Sequence, residues 1–302
     1  MNTQSNAMPE PFNSQRTAPA ALSPTRPLYW SIRRELWEYR SIYIAPLAVA
    51  AVMLFGFLIA TIGRAMSIAD PAQRRAVLEG PYTFAMDVIM GTAFIVGIFY
   101  SLDALHGERR DRSILFWKSM PVSDLTTVLS KASIPLIVLP LLSFAILVAT
   151  ELIMLALSTL VLLGSGQDIA TLWTPVFQMS LMLLYHLVTV HMLWYAPIYG
   201  WALLVSAWAR RATFLWAVLP WLAICAVEKI AFNTTHFLSL LGDRFSGSAA
   251  GGDFTSVSAS TDPLMQITPG TFLSSPGLWI GLAVAAAFLV AAVRLRRCQG
   301  PI

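Results

Sequence analysis

Apolar residues run along this chain in six long stretches, about Ile44 to Ile62, Phe84 to Leu105, Ser133 to Leu163, Pro175 to Trp208, Ala212 to Phe232 and Pro276 to Val293. A helix rises about 1.5 Å per residue and the hydrocarbon core of a bilayer is about 30 Å thick, so roughly 17 to 25 apolar residues cross it. Each stretch reaches that length, and the third and fourth are long enough to tilt or to extend beyond the bilayer. None shows the period-two alternation over about ten residues that a membrane barrel strand requires. The pattern predicts an all-α integral membrane protein with six transmembrane helices.

The polar intervals divide the chain further. Residues 1–23 are polar and Pro-rich without an apolar signal-peptide core, and they read as a disordered cytoplasmic tail. From 24 to 43 the spacing is that of an amphipathic helix. Tyr29, Ile32, Leu36, Tyr39 and Tyr43 share one face, Trp30 and Trp37 lie beside them, and Arg34 and Glu38 stand opposite. Such a helix is expected to lie in the headgroup region as an elbow leading into the first span.

Residues 106–131 form the one long charged interruption of the apolar middle. Gly107 to Ser119 is predicted as a short helix, with Ile114, Leu115, Trp117 and the stem of Lys118 toward the bilayer and the arginines outward. Pro121 then breaks it, and Ser123 is placed to cap a helix running from Asp124 through Lys131 into the third span. The interval 233–275 differs, since its centre from Ser246 to Thr261 is low-complexity. The apolar pieces on either side, Thr235 to Leu241 and Leu264 to Leu273, are too short to span. They read either as re-entrant half-helices or as surface loops.

Composition agrees with the pattern. The chain is 57% hydrophobic and 12% charged, against roughly 45–50% apolar in soluble domains. Of its 20 Lys and Arg, about fifteen fall on the side of both termini. Only Arg64, Arg74, Arg75, Lys229 and Arg244 fall on the other, an asymmetry that places both termini in the cytoplasm. The net charge of +4 thus reports topology and not affinity for nucleic acid. The two cysteines, Cys225 inside a span and Cys298 near the cytoplasmic end, are poorly placed for a disulfide.

Chemical motifs are sparse. No Gly-x-x-x-x-Gly-Lys-Ser/Thr loop, His-Glu-x-x-His or Gly-x-Ser-x-Gly occurs. The chain therefore carries no catalytic motif, cofactor site or metal site of its own, and an ATP-driven step needs a second polypeptide. Ionisable groups inside spans are costly and commonly face a cavity or a partner. The candidates are Asp87, Asp103, Glu151, His186, His191, Glu228 and Lys229. Asp103 and the Glu228/Lys229 pair are near enough to a span end to reach the interface. Glu151 lies mid-run and reads either as lining a translocation path or subunit interface, or as a structural hydrogen-bonding group. His186 and His191 are five apart, which on an α-helix turns them to different faces and disfavours a shared metal.

The run Gly107-Glu-Arg-Arg-Asp-Arg112, followed by Lys118-Ser-Met-Pro-Val-Ser123 and by Lys131 at the entrance to the next span, resembles the permease subunits of ATP-binding-cassette exporters of the type-2 membrane family, the type V exporter fold. The resemblance follows the topology over residues 24–297 and is specific over 106–131. It implies that this segment is a cytoplasmic coupling helix seated in a cleft of an ATPase. Glu108, Arg109, Arg110, Arg112 and Trp117 would make the coupling contacts, and Pro121 and Ser123 would shape the turn.

It further implies two copies of a separate P-loop ATPase, which carry ATP and Mg, and a second permease bundle, identical or paralogous. The location would be the bacterial inner membrane, and the cargo a hydrophobic or amphipathic molecule such as a lipid, peptide or antibiotic. Two other readings stay open. One is an ion-coupled secondary transporter using Glu151, Asp87, His186 and His191. The other is a non-transporting anchor or sensor for an ATPase.

Overall fold

A computed structural model describes residues 25–62, 71–119, 122–163, 170–247, 269–298 and 300. The terminal tail 1–23, Pro121 and most of the low-complexity insert lie outside the described residues. Every regular element among those described is helical. In chain order, α1 is Thr25–Glu38, α2 is Ser41–Gly56, α3 is Pro71–Arg110 and α4 is Ser113–Ser119. Then come α5 Asp124–Ser133, α6 Leu139–Leu163, α7 Ala170–His186 and α8 Ala196–Trp208. The last are α9 Thr213–Phe232, α10 His236–Ser246, α11 Pro269–Ser274 and α12 Pro276–Cys298.

Among the described residues, six helical segments are long and apolar enough to cross a membrane: Ser41–Ile59, Gly80–Arg110, Asp124–Leu160, Val176–Trp194, Thr213–Phe232 and Pro276–Cys298. They correspond to the six apolar stretches, with one departure. The fourth stretch is not a single rod. A π-helical run, Leu187–Trp194, follows α7, and Tyr195 forms a turn before α8 begins with Pro197 in its first turn. Proline there lacks an N–H that a first turn does not use, which makes it a natural restart point. Two more π-helical runs occur, Phe57–Ile62 after α2 and Ile134–Val138 between α5 and α6.

The bundle is built around α8, which packs closely on α3 and on α12 because a glycine stands at each contact. A Cβ at Gly97 of α3 would lie 2.9 Å from the Tyr199 ring, and one at Gly200 of α8 would lie 3.3 Å from the Ala285 carbonyl of α12. Van der Waals packing of this kind is what associates helices in lipid, where no hydrophobic drive remains between them. One apolar cluster joins Phe57, Tyr82, Ile89, Leu147, Met154 and Leu187. A second, nearer the arginine-rich end, joins Ile42, Tyr100, Leu105, Val128, Leu139 and Leu203. By contrast α9 has no buried residue.

The charged segment departs from its sequence reading. Gly107 to Ser119 is not one helix. α3 continues to Arg110, Arg112 adopts a left-handed φ of 58°, and α4 starts afresh at Ser113. A side chain in that backbone region is disfavoured by about 1–2 kcal/mol, so the surrounding contacts hold the corner. After it Ser123 caps α5, its Oγ accepting from Thr126 N at 3.0 Å. Ile32 and Leu36 of α1 and Tyr39 just after it share one face, as their spacing predicts, and that face packs on the bundle. Tyr29 is instead exposed, and Arg34, expected on the opposite face toward lipid headgroups, turns into the bundle to reach Glu108.

Candidate functional site

At the arginine-rich end of the bundle, four helices meet on a buried cluster of charges. Glu35 of α1, Glu108 of α3 and Lys131 of α5 are almost fully buried, and Arg296 of α12 is nearly so. Lys131 Nζ donates to Glu35 Oε1 at 2.9 Å and lies 3.2 Å from Glu108 Oε1. Arg34 Nη2 donates to the same Glu108 oxygen at 3.1 Å, while Arg296 Nη1 donates to Glu108 Oε2. Arg296 Nε reaches Asp124 Oδ1 at 3.1 Å, and Tyr100 OH donates to Glu35 Oε2 at 2.8 Å.

Four carboxylates, Glu35, Glu38, Glu108 and Asp124, thus pair with three cations, Arg34, Lys131 and Arg296. Burial of this kind holds only when charges are paired and their lone pairs filled, and here both Glu108 oxygens and both Glu35 oxygens have donors. Burial works against the Arg34 charge, but Glu35 and then Glu108 outweigh it, so the Arg34 pKa lies above its ordinary value.

The clasp reaches the surface through α4. The Arg34 guanidinium carbon lies 3.7 Å from the Trp117 ring centroid, a cation–π contact that ties α4 to α1. Ile114 is buried beneath α4, and Ser113 Oγ donates to Glu108 O at 3.4 Å. What remains outward is Arg110, Asp111, Arg112, Leu115, Phe116 and Lys118. The short helix is therefore held from inside and presents a mixed basic and apolar surface.

Two residues of the charged run are placed differently from their sequence reading. Glu108 is the hub of the clasp and does not face outward. Arg109 is buried, donating Nη1 to Ala207 O at 2.6 Å and to Ala209 O at 3.3 Å. These carbonyls end α8 and have no partner within that helix, so a guanidinium there satisfies them and opposes the negative end of the helix dipole. Arg110 and Arg112 are exposed as expected of outward arginines.

The residues proposed as an intramembrane path do not come together as one. Glu151 is buried on α6 and accepts from Ser180 Oγ of α7 at 2.8 Å. Asp87 is exposed on the surface of α3. His186 and His191 are both buried. His186 closes α7, and His191 lies in the π-helical run that follows it. Among the described residues, no group of His, Cys, Asp and Glu is arranged to hold a metal ion. Glu228 does structural service, its carboxylate accepting from Thr234 Oγ1, His236 N and Phe237 N at the start of α10.

Sequence reasoning missed Glu35, Lys131 and Arg296 as partners of Glu108. Glu35 carried a signal, because it lies three from Ile32 and four from Tyr39 on the inward face of α1. Lys131 and Arg296 carried none beyond membrane-side charge.

Six helices among the described residues, each long and apolar enough to cross a membrane, define a multi-pass helical membrane protein. Comparison with protein-family profiles, with curated proteins and with solved structures finds nothing that matches this chain.

Proposed function

We propose that the chain is the membrane-spanning permease subunit of an ATP-driven exporter, moving a hydrophobic or amphipathic cargo with energy from a separate P-loop ATPase. The observation that carries this reading is the attachment of α4. An exposed short helix with a basic and apolar surface is fastened through Trp117, Arg34 and Glu108 to α1, α3, α5 and α12. These contacts would deliver a force on α4 to four helices at once, since pulling a buried ion pair apart strands its charges away from water.

In this reading the arginine-rich end is cytoplasmic. Arg110, Arg112, Leu115, Phe116 and Lys118 form the ATPase-facing surface, and Glu108 and Arg109 act as its internal anchors. Closure of an ATPase dimer pushes α4 and tilts the bundle, and the chain itself makes and breaks no covalent bond. A second bundle completes the transporter, and the absence of buried residues on α9 supports that helix as a face left for it.

The test is purification of the tagged chain from native membranes in mild detergent, followed by mass spectrometry of what accompanies it. A P-loop ATPase at near-equal stoichiometry supports the exporter. Repeated isolation of the chain alone, under conditions that preserve a known transporter complex, would favour an ion-coupled carrier instead.

A further inference from the structure

The half of the bundle remote from the clasp holds a second charged group, which the exporter reading does not use. α9 touches α8 near its start, where Trp201 Nε1 donates to Ala217 O at 3.0 Å and Trp208 packs edge-on against Trp216. Farther along, α8, α9, α10 and α12 line a half-open cavity of about 640 Å³. That volume lies within the range of small-ligand sites, roughly 300–1,000 Å³. Its walls are almost wholly apolar and include Trp194, Trp201, Trp221 and Phe288.

Into this cavity α10 brings Arg244. The guanidinium carbon lies 4.1 Å from the Trp194 ring centroid, and Nη1 donates to Gly277 O at 3.2 Å. Nη2 is buried and has no hydrogen-bond partner among the described residues. Gly281 makes the room, since a Cβ there would lie 1.6 Å from Nη2. Neighbouring Asp243, exposed at the rim, forms no ion pair with it among the described residues.

The guanidinium is held in place and does not dangle. Glu228 of α9 binds the start of α10, and Tyr195 OH donates to Phe245 O at 3.0 Å near its end. Arg244 is half-buried and has no carboxylate paired with it among the described residues, and a cation on an otherwise apolar wall favours an anion beside it. Gly281 precedes Arg294 by 13 positions on α12, or roughly 20 Å of helix. The guanidinium is therefore most of a bilayer core away from the arginine-rich end.

We infer that this cavity binds one anionic phospholipid from the adjoining leaflet, its headgroup phosphate on Arg244 and an acyl chain along the Trp201 and Trp221 walls. Charge complementarity at Arg244 selects the headgroup, and the apolar walls exclude a small hydrophilic anion as the preferred occupant. The inference does not rest on the exporter reading, because the site involves neither α4 nor an ATPase.

The experiment uses the full chain in phosphatidylcholine nanodiscs with increasing fractions of phosphatidylglycerol brominated on its acyl chains, read by tryptophan fluorescence. Saturable quenching at low phosphatidylglycerol fraction is expected, whereas brominated phosphatidylcholine should quench only in proportion to its amount. Arg244→Gln should shift the midpoint about tenfold, the loss of one charge-assisted hydrogen bond. Gly281→Leu, which fills the space of the guanidinium, should do the same.

Equal quenching by the two brominated lipids in the wild-type chain would overturn the proposal without any variant. So would an unchanged midpoint in a folded Arg244→Gln protein. Displacement of the lipid signal by millimolar inorganic phosphate would also overturn it, assigning Arg244 to a free-phosphate site.

Discussion

Lys131 Nζ sits 2.9 Å from Glu35 Oε1, joining two side chains 96 positions apart that are each at most 2% exposed. The same ammonium serves Glu108, so one cation holds the carboxylates of α1 and α3 against the start of the third span. Removing it leaves two buried carboxylates short of their common partner.

Lys131→Met should therefore lower stability by roughly 3–5 kcal/mol, the cost of an uncompensated buried charge. Thermal unfolding in detergent measures this. Adding Glu35→Gln should recover part of the loss, because the second substitution removes one of the stranded charges. A double variant no more stable than Lys131→Met would show that Glu35 is not its energetic partner.

The adjacent arginines of the charged run should behave oppositely. Arg109→Glu places a carboxylate against the Ala207 and Ala209 carbonyls, and a loss above about 4 kcal/mol is expected for a buried like-polarity clash. Arg110→Glu alters an exposed side chain whose ion pairs with Asp111 and Asp103 are on the surface. Its effect on stability should stay within about 1 kcal/mol. If α4 seats an ATPase, Arg110→Glu should reduce co-purification of that partner while the melting curve stays in place.

Gly97→Ala tests the closest approach of α3 and α8. The added methyl would lie 2.9 Å from Cε1 of the fully buried Tyr199 ring, and overpacking of this kind costs about 1–3 kcal/mol. Tyr199→Leu in the same background should relieve part of it. Lack of any melting shift in Gly97→Ala would mean the helices separate without cost.

Ser180→Ala removes the hydrogen bond to Glu151. Interhelical hydrogen bonds in membranes average about 0.6 kcal/mol and reach about 1.7, so a small downward shift in melting temperature is expected. ATP-dependent flux unaffected by Glu151→Gln would agree with a structural role for this pair. Collapse of flux together with its dependence on a proton gradient would argue for the ion-coupled alternative.

The structure also qualifies how far the sequence pattern reaches. It located the spans because a bilayer imposes one length on every crossing helix, and only the fourth span hid a break, at Tyr195. That break was missed because π-helical turns leave composition unchanged while altering the number of residues per turn. Ser123 was legible as a cap since capping is local, an oxygen reaching an N–H three residues on. Arg109 was not, because its acceptors belong to a helix that ends about a hundred residues later.

The sequence by itself determined that this is a helical chain of six membrane-length apolar segments with a charged break after the second. Length, hydropathy and local capping are properties of neighbouring residues. Only the tertiary structure decided which charges in that break face outward and which lock the bundle. Glu108 becomes a hub, and Arg244 a cation lying over Gly281, through residues far away in the chain whose approach depends on how whole helices pack.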